Sequence, residues 1–175
     1  MREQTEPLTG AELLRLVEEV ADELPEDDYR RSLIVVGGAA LAWSDLRDAT
    51  RDVDCLESLD ETLTQAIEVI ARRHDLAPRW MNDAASSFRP AGVELDRGTV
   101  VLDHPRLLVI TAPLDQIFIM KILASRAADT DDIAALWPLT SFATPHEAAQ
   151  AFRAAYPHEA EDPHLAAWLA GIVDE

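Results

Sequence analysis

Two glycines and two aspartates are the residues whose types and spacing suit chemistry on phosphate groups. Gly37-Gly38 is followed, after thirteen residues, by Asp52-Val53-Asp54. Consecutive glycines allow backbone N–H groups to approach a triphosphate closely. Two carboxylates on one face of a strand can hold divalent cations about 3.5–4 Å apart for an in-line displacement. Oxygen ligands of this kind suit Mg²⁺ or Mn²⁺. The pattern therefore predicts metal-dependent phosphoryl or nucleotidyl transfer.

The elements that must position these residues are a strand, a glycine turn and a helix. Residues 32–36 form a β-branched run that ends at the two glycines, and residues 39–43 favour a helix. Residues 51–56 alternate polar and apolar side chains as a half-buried strand does. This alternation predicts that Asp52 and Asp54 lie on the same face of their strand.

The rest of the chain predicts further helices and short strands. A capping box at Thr9–Glu12 predicts a helix over residues 10–24, and a second box at Ser58–Glu61 predicts a helix that opens at Ser58 and runs to about Arg73. Strands are expected at residues 77–81, 99–102 and 107–111. Pro113 is expected to start a helix that runs to about residue 126, and Asp129–Asp132 to cap a shorter one. Thr144 and Asp162 are each expected to open a helix of the C-terminal region.

With these elements, the chain resembles the nucleotidyltransferase superfamily with the polymerase-beta-like fold, and in particular its small members related to abortive-infection toxins. Residues 47–54, Arg-Asp-Ala-Thr-Arg-Asp-Val-Asp, look like the Arg-x-x-Thr-x-Asp-x-Asp motif of that family. Residues 121–132 look like its downstream Lys-x-x-Ala-x-Arg-x-x-Asp-x-x-Asp block. The resemblance covers about residues 33–136.

The resemblance implies roles for individual residues. Asp52 and Asp54 would bind the metal and take part in catalysis, and Gly37 and Gly38 would form a cradle for phosphate. The nucleotide contacts would also include Thr50, Lys121 and Arg126, and Lys121 would act in catalysis as well. Asp83, with Asp96 as the second choice, would supply a third carboxylate, and Asp83 is also the candidate general base. Ala128 stands where the family pattern leads us to expect a basic residue.

Each of these residues also has a structural explanation. Gly37-Gly38 fits a tight turn, and the two aspartates fit a solvated strand face paired with Arg47 and Arg51. Asp129 and Asp132 fit helix capping, which requires no catalysis. Lys121 fits a lysine that reaches solvent from the edge of a helix.

The expected fold is α/β (α+β): a mixed nucleotidyltransferase-like sheet flanked by helices, with a C-terminal helical extension. We expect one domain over residues 1–175, with a core at 33–136 and a helical tail at 137–175 packed on that core. The single cysteine, Cys55, excludes an intramolecular disulfide and zinc motifs that need several cysteines.

Charge and composition limit the kinds of partner and the compartment that we expect for this protein. The net charge of −18, from 15 basic and 33 acidic residues, excludes a general nucleic-acid coat protein. No apolar run reaches the length of about 18 residues that a spanning helix needs, and no apolar signal segment follows Met1, so a cytoplasmic protein without a membrane partner is expected.

Two functions remain open at this point. The first is a metal-dependent nucleotidyltransferase that moves NMP from an NTP to a tRNA, a protein or a small molecule, as a toxin of a toxin-antitoxin pair would. The second is a non-catalytic binding or regulatory module with the same fold. The expected partners are an NTP, the acceptor and a cognate protein.

Overall fold

A β-branched run, a glycine pair and an alternating segment build the centre of the main sheet. The computed structural model describes residues 6–27, 29–92, 97–124 and 130–173. Within them, five strands form a sheet: β2 (Arg31–Val36), β4 (Val53–Cys55), β5 (Met81–Asn82), β6 (Thr99–Asp103) and β7 (Leu107–Thr111). Their order in the sheet is β5-β4-β2-β7-β6. A smaller antiparallel pair consists of β1 (Leu8–Thr9) and β3 (Ala49–Thr50).

The sheet is mixed. β2 is parallel to β7 and β4 is parallel to β5, whereas β2 is antiparallel to β4 and β6 is antiparallel to β7. The last four residues of β2 are buried apolar side chains, as expected for a central strand covered on both faces.

In the described part of the first 88 residues, the α-helices are α1 (Gly10–Glu23), α2 (Gly37–Trp43) and α3 (Glu61–Arg73). The capping box of Thr9 and Glu12 is present at the start of α1. α1 buries Leu13, Leu16, Val17 and Val20, and it packs against α2 and α3. The helical spacing of these apolar residues therefore provides one side of the core.

The chain divides into two compact units. The first consists of residues 1–88 and 95–112, and the second of residues 89–94 and 113–175. The second unit contains α4 (Leu114–Ala124), α5 (Asp131–Leu136), α6 (Pro145–Ala155) and α7 (Leu165–Val173). Its described core includes Phe118, which contacts the rings of Trp137 and Phe142.

The expected fold class is confirmed: a mixed sheet with helices and a C-terminal helical part. The division into units places α4 and α5 in the helical second unit, and the expected core at residues 33–136 stays a prediction. Among the helices that the structure describes, none combines the length and apolar character needed to cross a bilayer.

Three local expectations are corrected. α3 is capped by Asp60, whose side chain accepts from Leu63 N, and not by Ser58. The strand expected at residues 77–81 is limited to Met81–Asn82, because residues 77–80 form a turn closed by Trp80 N and Ala77 O. At α5 the N-cap residue is Thr130, without a side-chain capping bond, and Asp129 lies outside the described residues.

Candidate nucleotide and metal site

The glycine pair forms the turn between β2 and α2. Gly37 has φ +66°, a left-handed conformation in which a side chain is strained. A Cβ on Gly37 would also lie 2.8 Å from Asp54 Oδ2. A Cβ on Gly38 would lie against Thr50 Oγ1 and 2.9 Å from Arg47 Nη1. The two glycines therefore allow three residues of the 47–54 motif to pack directly against the turn.

Strand pairing explains why Asp54 lies there. Val36, the residue before the turn, pairs with Asp54 in the antiparallel β2–β4 ladder. On its other side, Asp54 pairs with Asn82 of β5. Asp54 is half-buried, whereas Asp52 precedes β4 and is exposed. The predicted pair of aspartates thus has one member fixed within the sheet and one at its solvent edge.

Asn82 holds the carboxylate of Asp54 through its side chain. Asn82 Nδ2 donates to Asp54 Oδ1 at 3.1 Å, and Asn82 Oδ1 accepts from Ala84 N at 2.9 Å. Asn82 itself is buried. The residue of β5 that contacts Asp54 is therefore an amide, one position before the expected acid Asp83.

Asp83 has other partners. Its Oδ2 accepts from Leu59 N at 3.1 Å, and its Oδ1 lies 3.5 Å from Arg79 Nη2. The contact with Leu59 fixes the loop between β4 and α3. A role for Asp83 as third carboxylate or general base stays a prediction, and Asp96 lies outside the described residues.

The end of β4 is an acidic environment. Cys55 is fully buried. Burial raises the pKa of its thiol, and the negative charges of Glu57, Asp54 and Asp83 raise it further. Glu57 also accepts from Ile34 N at 2.7 Å, which ties it to β2. Cys55 is therefore a protonated core residue beneath a group of carboxylates, not a nucleophile.

Lys121 belongs to the second unit and is paired there. Its Nζ lies 2.5 Å from Asp132 Oδ2, and the two side chains are 18% and 15% exposed. The pair joins α4 to α5, and its two members are the first and last residues of the 121–132 block. A phosphate contact by Lys121 stays a prediction, and Arg126 and Ala128 lie outside the described residues.

The carboxylates of Asp52 and Asp54 fit a divalent cation that takes its other ligands from a bound nucleotide. No group of three His, Cys, Asp or Glu residues within the described ranges could hold a metal by itself. Mg²⁺ commonly binds through one or two carboxylates together with substrate phosphates and water. Asp54 and Asp52 supply carboxylates, and the missing Cβ of Gly37 leaves space beside Asp54 Oδ2. These residues therefore fit a metal–nucleotide complex better than a metal bound by protein alone.

Two residues at the site were not among the predicted site residues. Arg47, which packs at Gly38, also lines an open pocket of about 510 Å³ with Thr9, Trp43, Asp45 and Asp48, among other residues. Asn82 could not be found from its type, because only the strand register shows that it meets Asp54. The signal for Arg47 was present in the sequence, as the first residue of the Arg-x-x-Thr-x-Asp-x-Asp motif.

A strand, a glycine turn and a helix packed against an Asp-x-Asp strand are features of nucleotidyltransferases, the class that the sequence resembles. The family model described as "Nucleotidyltransferase of unknown function" (DUF6036) matches residues 11–141, and the chain belongs to this family. The match confirms the predicted superfamily and supports a nucleotidyltransferase-like function in general. No curated protein and no solved structure matches the chain.

Proposed function

We propose that this protein is a metal-dependent nucleotidyltransferase that transfers NMP from an NTP to an acceptor hydroxyl or phosphate. The observation that carries the proposal is the contact of the Gly37 turn with Asp54 Oδ2. The contact joins the two halves of the sequence pattern at one place. Because Gly37 has no Cβ, the position 2.8 Å from Asp54 Oδ2 that a Cβ would occupy is left open at this turn.

In the proposed reaction, the acceptor oxygen attacks the α-phosphorus, the bond from the α-phosphorus to the bridging oxygen breaks, and pyrophosphate leaves. A divalent cation, when bound, supplies positive charge that stabilises the transferring phosphate. Asp54 and Asp52 would hold it, and the acceptor proton would pass to water. Asp54 is the better oriented ligand because strands on both sides and Asn82 fix its position.

Arg47 is the cation that supports nucleotide binding in this unit. Its guanidinium packs at Gly38, and Arg47 is also one of the residues that line the open pocket of about 510 Å³. A guanidinium presents a planar set of N–H donors that matches phosphate oxygens. We propose that Arg47 and the backbone at Gly37 and Gly38 contact the phosphates, with Thr50 Oγ1 packed behind Gly38.

The second candidate function is a nucleotide-binding module without turnover. Two observations favour it: the neighbour of Asp54 on β5 is an amide, and Lys121 is already paired with Asp132. Such a module would bind NTP with metal and transfer nothing. A toxin role, with a cognate protein partner, is a further proposal that follows from the resemblance.

The test is to incubate the protein with each α-labelled NTP, Mg²⁺ or Mn²⁺ and cell lysate, and to follow the label into macromolecules and small molecules. Nucleotide binding is measured in parallel by calorimetry. Wild type and Asp75→Asn are expected to transfer label. Asp75 is an exposed acid whose left-handed backbone (φ +52°) asparagine also adopts. Asp54→Asn is expected to fold normally and to lose transfer.

Three outcomes separate the candidates. Transfer by wild type and not by Asp54→Asn supports the enzyme. Binding of NTP with metal but no transfer of label supports the binding module. If no NTP binds, or if Asp54→Asn transfers as well as wild type, the proposed site is wrong.

A further inference from the structure

The side-chain amide of Asn82 has a defined orientation. The backbone N–H of Ala84 can only donate, so the Asn82 atom that it meets at 2.9 Å must be the carbonyl oxygen. The amide nitrogen is then directed to Asp54 Oδ1, and it lies 3.4 Å from Arg79 O as well. Because both ends of the amide have partners, Asn82 cannot rotate without losing hydrogen bonds.

This orientation gives the two oxygens of Asp54 different surroundings. Oδ1 accepts from Asn82, and Oδ2 is the oxygen beside the Gly37 turn. Outer residues that fix the direction of a ligand typically change metal affinity when they are removed. The amide therefore directs one oxygen of Asp54 toward the turn and takes up the other.

The neutral charge of Asn82 matters as much as its geometry. An aspartate at position 82 would place a second carboxylate about 3 Å from Asp54 Oδ1, where like charges repel until a cation lies between them. The amide adds no negative charge at this place. With Asn82 neutral, Asp54 and Asp52 would be the carboxylates that hold a cation, and phosphate oxygens and water would supply its remaining ligands.

We propose that Asn82 is a positioning residue that directs Asp54 toward the glycine turn and makes cation binding depend on the nucleoside triphosphate. This inference rests on the proposed function, since it concerns the same site. It further implies that metal and NTP bind as one complex and that the protein alone has little affinity for the metal.

The experiment compares wild type with Asn82→Asp and Asn82→Ala. Mn²⁺ binding is measured from the paramagnetic resonance signal of free Mn²⁺, first without nucleotide. Binding of Mn²⁺ with each α,β-methylene NTP is then measured by calorimetry. The control is Gln65→Glu, because Gln65 Nε2 also donates to a carboxylate, Glu61 Oε1, at 3.3 Å on the exposed face of α3. It makes the same amide-to-acid change beside an acid that has no assigned function.

Asn82→Asp is expected to bind Mn²⁺ alone at least about tenfold more tightly than wild type, since a second charge within about 4 Å adds Coulomb attraction. Asn82→Ala is expected to lose about 10–100-fold in affinity for the Mn²⁺–nucleotide complex. Gln65→Glu is expected to match wild type in both measurements. Melting curves identify any variant that is unfolded.

The inference and the proposed function fail in different ways. If wild type binds no nucleotide with Mn²⁺, the proposed function fails together with the inference. If wild type binds the complex, the inference alone is overturned by either of two results. One is tight Mn²⁺ binding by wild type without nucleotide, and the other is an Asn82→Asp protein whose affinity for Mn²⁺ alone equals that of wild type.

Discussion

Asp54 in the first unit and Asp132 in the second unit are two partly buried carboxylates that are held in different ways. Asp132 is bound by the ammonium of Lys121, whereas Asp54 accepts from the neutral amide of Asn82. An ion pair balances the charge of a carboxylate inside the fold. An amide hydrogen bond fixes the direction of a carboxylate and brings no charge of its own. The first arrangement suits stability, and the second would suit the cation ligand that we propose Asp54 to be.

The strongest test of this difference is Lys121→Met. It removes the cation and leaves the Asp132 carboxylate mostly buried, which should cost about 3 kcal/mol of unfolding free energy. Urea unfolding at pH 7 measures the loss. Arg72→Met is the control, because Arg72 lies 3.8 Å from Glu68 in an exposed pair, and such pairs contribute little.

The double variant Lys121→Met, Asp132→Leu separates the two roles of Lys121. It removes both charges and should recover most of the lost stability. Its affinity for NTP with Mn²⁺ then reports on a phosphate contact alone. Affinity equal to that of wild type would limit Lys121 to the ion pair. A single variant as stable as wild type would show that the pair contributes nothing.

The second prediction concerns the glycine turn beside Asp54. Gly37→Ala should lose about 1–2 kcal/mol from the left-handed backbone. It should also weaken nucleotide binding, because its Cβ displaces Asp54 Oδ2. Gly92→Ala is the matched control, since Gly92 has φ +80° and nothing lies within 4 Å of its Cβ position. Thermal melting and calorimetry on both variants make the comparison.

Gly37→Ala should therefore lose more stability than Gly92→Ala, because its Cβ also displaces Asp54, and only Gly37→Ala should lose affinity for the nucleotide. Equal nucleotide affinity in both would show that the close approach of Gly37 to Asp54 serves packing alone.

The smallest expected effect concerns Asp60, whose carboxylate accepts hydrogen bonds from the neutral backbone N–H of Leu63 and from the charged guanidinium of Arg31. Burial raises the pKa of Asp60, but hydrogen bonds from Leu63 N and Arg31 together outweigh burial, so the pKa lies below its ordinary value. A lowered pKa in the folded state stabilises the protein above about pH 4, and this stabilisation is lost as the pH falls through the folded value.

Asp60→Asn keeps a helix-capping side chain and removes the titration. The difference in unfolding free energy between wild type and this variant should therefore shrink from pH 7 to pH 3, as measured by urea unfolding. A difference that stays constant over this range would contradict the lowered pKa.

Local patterns in the sequence predicted the elements that depend on local physics. The capping box at Thr9 and the glycine turn after Val36 are where the sequence indicates, because each depends on residues a few positions apart. The start of α3 was wrong in detail, since Asp60 caps it and also pairs with Arg31, which is 29 residues away in the chain.

The site was harder to predict because strand register is not encoded in any single strand. Asp83 and Asn82 are adjacent in sequence, and only the parallel pairing of β4 with β5 decides which of them meets Asp54. The partner of Lys121 depends likewise on how α4 and α5 pack. Types and spacing thus indicated the glycines and Asp54 as candidates, whereas long-range pairing determined their neighbours, and the roles of these residues stay predictions.

The burial of Cys55 has a practical consequence for following motion at the site. It is the only cysteine of the sequence, it lies next to Asp54 on β4, and its side chain is closed to solvent. A thiol reagent can therefore modify it only after β4 has separated from its neighbours or the protein has unfolded. The rate of thiol labelling in the native protein thus measures how often the strand that carries Asp54 opens, without any probe being introduced.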